Sequence, residues 1–406
     1  MSKPLVLTCD IGTQSARALL VDPDGRIVDV VQSKYAEPYF SKEPGWAEQK
    51  PDFYFDRLCE CCRELCARSN ALLPDVIAMT ITVIRDTVVC LDENNNPLRD
   101  IILWLDKRSV DPNGAMPAKN MMVFKLAGME PTAKVVYAAS AGNWIMRHEP
   151  EIWAKTAKYV MLPTYLNYKL TGNLIDSASN QIGHIPFDYK NRRWMKPGSL
   201  TRCFCDVPNE KLCDLVPSGT VIGTITEEVS ALTGIPAGLP LISTGSDKGC
   251  ETLGLAVVDS DKASISLGTT ATIQFSTTQY VEPQQFLPAY PGVLNDHYNP
   301  EIEIYRGLWL LSWFVKEFGT ADAIDAKEMG MAPEALLDQR IRDLPAGSDG
   351  LLLQPYWTAS GFTRRGHRLL RLPHALPLLP RHHRGSVPGA LHGAAHHGGP
   401  LGSDHP

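Results

Sequence analysis

The chain has 406 residues, 44% of them hydrophobic, with a formal net charge of −6 and a pI near 6.0. That length exceeds one compact core and sets an expectation of two or more domains, and the acidic balance offers no footprint for nucleic acid, leaving small molecules or proteins as expected partners. No apolar run reaches transmembrane length, and Met1–Pro4 leads into a strand without a signal-peptide core, so a cytoplasmic protein without membrane contact is expected.

The opening stretch LVLTCDIGTQSARALLVDPDGRIV (5–28) reads as a hairpin followed by a second turn. Leu5–Leu7 form a buried strand, Ala18–Val21 its return, and Pro23-Asp24-Gly25 the turn feeding Arg26–Val31. The first turn, Asp10 to Ser15, is small and polar. Gly12 lets the backbone approach a ligand, while Thr13, Gln14 and Ser15 add side-chain donors to backbone N–H groups, a combination that holds an anion. Asp10 cannot bind a phosphate directly but can hold a magnesium ion through water. An ordinary hairpin with an Asx-type turn uses the same residues, and this turn alone leaves both readings open.

A helix is expected from Pro51 to about Ala71. It carries CECCRELC, whose Cys59, Cys61, Cys62 and Cys66 lie around one helix and lack a matching partner pair, so they read as buried free thiols. Residues 76–109 then give strands around the turn Asp92–Pro97, with Arg85 and Asp86 on a strand among apolar neighbours. Two opposite charges there must find partners or face a cleft. Asn143–Gly172 reads as helical and ends at Gly172, and 177–216 as loop-rich with short helices. LPLISTGSDKG (239–249) starts a second strand set. KASISLGTTATIQFST (262–277) repeats the opening theme of strand, Gly-Thr turn and strand, which suggests two related domains facing one cleft.

Seven segments then fall in a familiar order: CDIGTQSARALLVD (9–22), GWAEQKP (45–51), IRDTVVCLD (84–92), ILWLDKRS (102–109), KLTG (169–172), TGSDKGCETLG (244–254) and SLGTTATI (266–273). With them the sequence resembles the FGGY family of carbohydrate kinases. The resemblance implies an α/β, actin-like (ribonuclease H-like) fold of two duplicated domains, with ATP and sugar in the cleft between them. Residues 1–254 would be the first domain and 255–358 a partial second one. The implied activity is phosphorylation of a hydroxyl of a sugar or polyol, using ATP and Mg2+; a homodimer is a further expectation.

Phosphoryl transfer to an alcohol needs a base near the attacking hydroxyl, a metal and donors along the phosphates. The resemblance makes Asp247 the base; read from the residues alone, it serves equally as a helix N-cap. It makes Asp10 the holder of hydrated magnesium and Thr13 the residue that reaches the γ-phosphate. Arg17 would lie near the transferred phosphoryl or in solvent, and Gly268, Thr269 and Thr270 would form the second phosphate turn. Arg85 and Asp86 match the Arg-Glu pair with which glycerol-type members grip hydroxyls, one methylene shorter at 86. Trp104 matches an aromatic against the carbon face of the substrate, and reads equally as a core residue. Lys248 stands where relatives carry Asn or Gln on a substrate hydroxyl, and a cation there would suit an acidic sugar. Asp106 and Arg108 read as loop ties.

LLLQPYW (351–357) still follows the family, but after Thr358 the composition breaks. Ala359–Pro406 holds eight of the eleven histidines, six arginines, no lysine and one acidic residue, Asp404. The family's glycine-rich adenosine motif is not recognisable there. A shifted reading frame is expected, in preference to a genuine basic tail, and with it a poorly packed tail and an impaired kinase. The alternatives are a non-catalytic sugar-binding or regulatory remnant, or another actin-fold ATPase such as a chaperone, against which the Arg85-Asp86 and Trp104 segments count.

Overall fold

The computed structural model describes residues 3–350 apart from 268, 269, 285, 286, 305, 306 and 308. The expectations for Gly268, Thr269, LLLQPYW and the 359–406 tail therefore lie outside the described residues. The chain divides into two compact units, one of residues up to Gly254 together with Tyr290–Tyr298, the other of 255–289 and residues from 299 onward.

In the first unit, β1 (Leu5–Ile11) pairs antiparallel with β2 (Ser15–Val21), which pairs antiparallel with β3 (Ile27–Lys34). Alternation along β1 buries Leu5, Leu7, Cys9 and Ile11 and leaves Thr8 and Asp10 on the other face. Gly25 at φ 76° makes the second turn. After β4 (Glu48–Gln49), α1 (Pro51–Arg68) begins with Pro51 in its first turn and presents Tyr54, Phe55, Leu58, Cys61, Cys62 and Leu65 to the sheet core. A 3₁₀ turn over Asn70–Asp75 ends it slightly earlier than expected. All ten cysteines are free thiols and eight are buried, with Cys9 Sγ 3.5 Å from Cys62 Sγ between sheet and helix. Burial pushes Cys59 and Cys66 up to about 12, which keeps them protonated.

β5 (Val76–Val83) runs parallel to β1, and β6 (Val88–Leu91) follows. Arg85 and Asp86 are not on a strand, as the apolar pattern suggested, but in the turn between these two. Pairing with β1 ends at Val83 and the Ile84 N–H, and Asp86 at φ 46° turns the chain away. β7 (Ile101–Ile102), α2 (Ala118–Leu126), α3 (Glu130–Ala139), α4 (Ala141–His148) and α5 (Pro150–Lys155) come next. The expected continuous helical stretch is then broken by β8 (Lys158–Met161), which pairs antiparallel with β6, before α6 (Leu162–Thr171) ends at Gly172, φ 80°. A stretch as short as KYVM, with three apolar residues, has no periodicity to separate strand from helix; burial of Tyr159, Val160 and Met161 beside β6 decides it.

Short strands β9 (Ile175–Ser177), β10 (Phe187–Asp188), β11 (Arg193–Trp194) and β12 (Asp214–Val216) occupy the loop-rich stretch. β13 (Val221–Thr224), α7 (Glu227–Thr233), β14 (Pro240–Ile242) and α8 (Asp247–Gly254) complete the N-terminal part of the unit. The central sheet has the order β13-β14-β5-β1-β2-β3. Because β1, β5 and β14 are mutually parallel, the turns that follow them, near 12, 85 and 246, emerge at one edge.

In the second unit β15 (Ser264–Leu267) and β16 (Ala271–Gln274) form the second expected hairpin, with Leu267 opposite Ala271. The chain then passes β17 (Tyr290–Pro291) and β18 (Tyr298–Asn299), which bracket the returning segment of the first unit. β19 (Glu301–Ile304) pairs with β16, and α9 (Trp309–Phe318), α10 (Thr320–Glu328) and α11 (Pro333–Ile341) follow. Among the described residues no helix is long and apolar enough to cross a membrane.

Candidate active site

The turn after β1 is closed by the Gly12 N–H donating to Ser15 O at 3.0 Å, and a Cβ on Gly12 would lie 3.3 Å from that oxygen. Gln14 O accepts from the Tyr35 N–H at 2.9 Å, and Ser15 Oγ lies 3.3 Å from the Gln32 amide. Asp10, opposite Arg17 across the hairpin, accepts from Arg17 Nη1 at 2.6 Å. The Trp104 indole N–H donates to Thr13 Oγ1 at 2.9 Å while its ring packs on the sheet core. Trp104 thus rests on the core, as one of its two readings expected, and also holds a polar turn.

The turn after β5 carries Arg85 and Asp86. Arg85 Nε lies 3.6 Å from Asp247 Oδ1, and its guanidinium sits 5.5 Å from the Tyr290 ring centroid. Asp86 faces the other way: Oδ1 accepts from the His184 backbone N–H at 2.9 Å and Oδ2 lies 2.7 Å from His184 Nδ1. The Asp86 N–H donates to Ile182 O at 3.0 Å, and Gly183 is gripped by Tyr189, whose hydroxyl bonds both its N–H and its carbonyl. Burial pushes the Asp86 carboxyl up, but the His184 charge and its two hydrogen bonds prevail and hold it below its ordinary value. Burial likewise pushes His184 down, and Asp86 more than offsets this, holding the imidazole above its ordinary value.

The segment that supplies His184 is anchored on Asp176, a fully buried carboxylate. It accepts from Thr164 Oγ1, Asn167 Nδ2, Asn180 Nδ2, Gln181 Nε2 and the Ser177 N–H at 2.8–3.2 Å. Burial nonetheless pushes it up to about 6, against the pull of those donors.

In the turn after β14, Ser246 caps α8, its Oγ accepting from the Gly249 N–H at 3.3 Å. Asp247 therefore stands as the first residue of the helix rather than as its cap. Its Oδ1 accepts from the Lys248 N–H at 2.8 Å, and its side chain is 25% exposed. Burial raises its pKa, with the Arg85 and Lys248 charges opposing. Lys248 Nζ reaches Glu251 at 2.9 Å, so its charge is met within its own helix. Gly245 leaves room for Val293, whose methyl would lie 2.8 Å from a Cβ there. The Val293 segment is held by Asn295 Nδ2 donating to Ser218 O at 3.0 Å, Tyr298 Oη donating to Lys190 O at 2.6 Å and Arg192 Nη2 donating to His297 O at 3.0 Å.

One sheet edge thus carries Asp10 to Ser15, Arg85 with Asp86, and Asp247 with Lys248. Thr270 follows the undescribed part of the second hairpin turn and belongs to the other unit. Asp106 and Arg108 tie loops, as expected: Arg108 forks onto Asp106 at 2.8 Å, reaches Glu48 at 3.1 Å and stacks between Trp46 and Trp144. Ser246, His184 and Tyr290 escaped the sequence reading. Only His184 had a signal, being one of three histidines before the tail.

A half-buried carboxylate with a raised pKa beside a guanidinium suits proton acceptance. Among the described residues no group of three His, Cys, Asp or Glu could cage a metal. The Asp10 carboxylate beside a glycine turn instead suits a magnesium ion that keeps its waters and arrives with phosphates.

The family model described as "FGGY family of carbohydrate kinases, N-terminal domain" matches residues 5–254. The uncharacterized sugar kinase YgcE of Escherichia coli (strain K12) is 26% identical over 358 residues, covering 88% of this chain and 65% of YgcE. The xylulose kinase of Bacillus subtilis (strain 168) is 24% identical over 364 residues, covering 86% of this chain and 67% of that one. The chain thus spans about two thirds of the length of these curated relatives. The crystal structure of xylulose kinase from Rhodospirillum rubrum superposes with a TM-score of 0.72 at 23% identity, covering 96% of this chain and 76% of the other, which shows a shared actin-like fold.

Proposed function

The chain belongs to the FGGY family of carbohydrate kinases, and we propose that the protein transfers the γ-phosphoryl group of MgATP to a hydroxyl of a sugar or polyol. The observation that carries this reading is Asp247, half-buried beside Arg85 at the carboxyl edge of the parallel strands. In the step, the acceptor oxygen bonds to the γ-phosphorus as the bond to the ADP oxygen breaks, and Asp247 takes the hydroxyl proton. Arg85 orients the acceptor beside that carboxylate. Gly12, Thr13, Gln14, Ser15 and Arg17 serve the phosphates. Asp10 would hold magnesium through water, and the ion supplies neutralisation of the phosphate charge. Trp104 packs beside the acceptor, and Lys248 lies one residue from the base.

The test is ADP release by the full chain with MgATP and D-xylulose, ribitol or glycerol. Acceptor-dependent ADP formation supports the reading. Absence of both turnover and MgATP binding counts against it.

A further inference from the structure

We infer that His184, held by Asp86, is an acceptor-binding residue and that Asp86 is its positioning residue; this rests on the kinase reading above. The resemblance gives the carboxylate at 86 to the substrate hydroxyls directly. In this chain both its oxygens accept from His184, one from the backbone N–H at 2.9 Å and one from the ring nitrogen at 2.7 Å. A carboxylate accepts only, so the shared proton sits on Nδ1, and Nε2 is the ring atom left to meet a ligand, as a donor while the ring is charged and as an acceptor once it is neutral. His184 is 32% exposed in its side chain, and no polar contact among the described residues engages Nε2.

The placement follows from how the two turns interlock. Asp86 sits at φ 46°, with its N–H on Ile182 O, and Gly183 at φ 152° passes so close that a Cβ there would lie 2.9 Å from Asp86 Cα. Tyr189 fixes Gly183 from the other side. The ring is thereby fastened to the residue next to Arg85, which itself reaches Asp247. A simple loop tie would need only the backbone bond to Asp86. The second bond fixes the tautomer and orientation of a ring left partly open, the arrangement by which carboxylates aim histidines at ligands.

The discriminating variant is His184→Asn, whose amide nitrogen replaces Nδ1 as donor to Asp86 but which has no distal ring atom. The full chain carrying it should keep the wild-type melting temperature and the KM for MgATP, while the KM for the acceptor used by the wild type rises about tenfold. His184→Gln, whose amide reaches the Nε2 position, should recover part of that loss. Asp86→Asn should raise the acceptor KM comparably and add little in the double variant with His184→Asn. An unchanged acceptor KM in His184→Asn, or equal rises in both KM values, overturns the assignment. If D-xylulose, ribitol and glycerol all fail as acceptors for the wild type, the kinase reading falls separately. The histidine is then decided by NMR: a shift of the His184 Nε2 resonance on adding one of these compounds upholds it, and no shift with any of them overturns it.

Discussion

Arg85 Nε and Asp247 Oδ1 lie 3.6 Å apart, so the turn after β5 and the first residue of α8 share one charged contact at the sheet edge. The relationship has two sides: burial raises the Asp247 pKa, and the guanidinium opposes the rise. A base works deprotonated, so kcat/KM should climb with pH through this raised value. Arg85→Ala removes the opposing charge and should move the climbing limb to higher pH, while Asp247→Asn should lower kcat by about a hundredfold or more. A limb that stays or moves down in Arg85→Ala would separate Asp247 from the pH dependence.

Trp104→Phe keeps an aromatic ring on the core and deletes the N–H that holds Thr13. The loss falls on the phosphate turn, so steady-state kinetics should show the KM for MgATP rising by roughly three- to tenfold, with the acceptor KM within about twofold of wild type. The reverse pattern would mean that the indole N–H serves the acceptor rather than the phosphate turn.

Gly183→Ala puts a methyl into the space taken by the Asp86 carboxylate and Cα, at a φ of 152° that side chains rarely adopt. Thermal unfolding should report a loss on the order of 1–3 kcal/mol. Survivors should bind the acceptor weakly and MgATP normally, because the displaced turn is the one carrying Arg85 and Asp86. Full stability would show that the two turns are less tightly interlocked than the geometry requires.

Asp176 gives a pH dependence with a definite sign. Its carboxyl is raised from 3.8 to about 6 in the folded chain. The folded state therefore binds more protons than the unfolded one between those values, and the stability this contributes is lost as pH rises through about 6. The difference in unfolding free energy between wild type and Asp176→Asn should shrink from about pH 4 to about pH 6 and stay level above. Asn also turns an N–H₂ group toward neighbouring amide donors, so the segment carrying His184 should loosen, which hydrogen exchange at residues 177–184 would detect. A pH-independent difference would mean that the carboxylate does not titrate in this window.

Several elements were legible because the turn that ends each has its own chemistry: Asp-Gly after β2, the Asp92–Pro97 loop after β6, and Gly172 at φ 80° after α6. Cys59, Cys61, Cys62 and Cys66 were legible as buried thiols because helical spacing alone groups them. β8 was not, since three apolar residues after a lysine carry no period of their own. Arg85 and Asp86 were misplaced onto a strand because apolar neighbours on both sides conceal a turn made by a positive φ at an aspartate, which composition does not signal. His184 and Tyr290 were missed for another reason. Their meaning depends on residues 98 and 205 positions away in the chain, His184 on Asp86 and Tyr290 on Arg85, and no local pattern records such pairings.

Residues 290–298 lie over Gly245 and against Ser179, Ser218, Lys190 and Arg192, although the chain leaves the first unit at Gly254 and makes two strands elsewhere before returning. On a ribosome the first unit therefore cannot close when its last contiguous residue is made. At about 5–20 residues per second the stretch from Gly254 to Tyr298 takes on the order of seconds to synthesise, and for that time the groove awaiting Val293 stands open in the nascent chain. A chaperone that waits for translation to pass Tyr298 would find a different surface from one that binds earlier, and a nonsense codon between the two positions would release a product whose Asp247 helix lacks its packing partner.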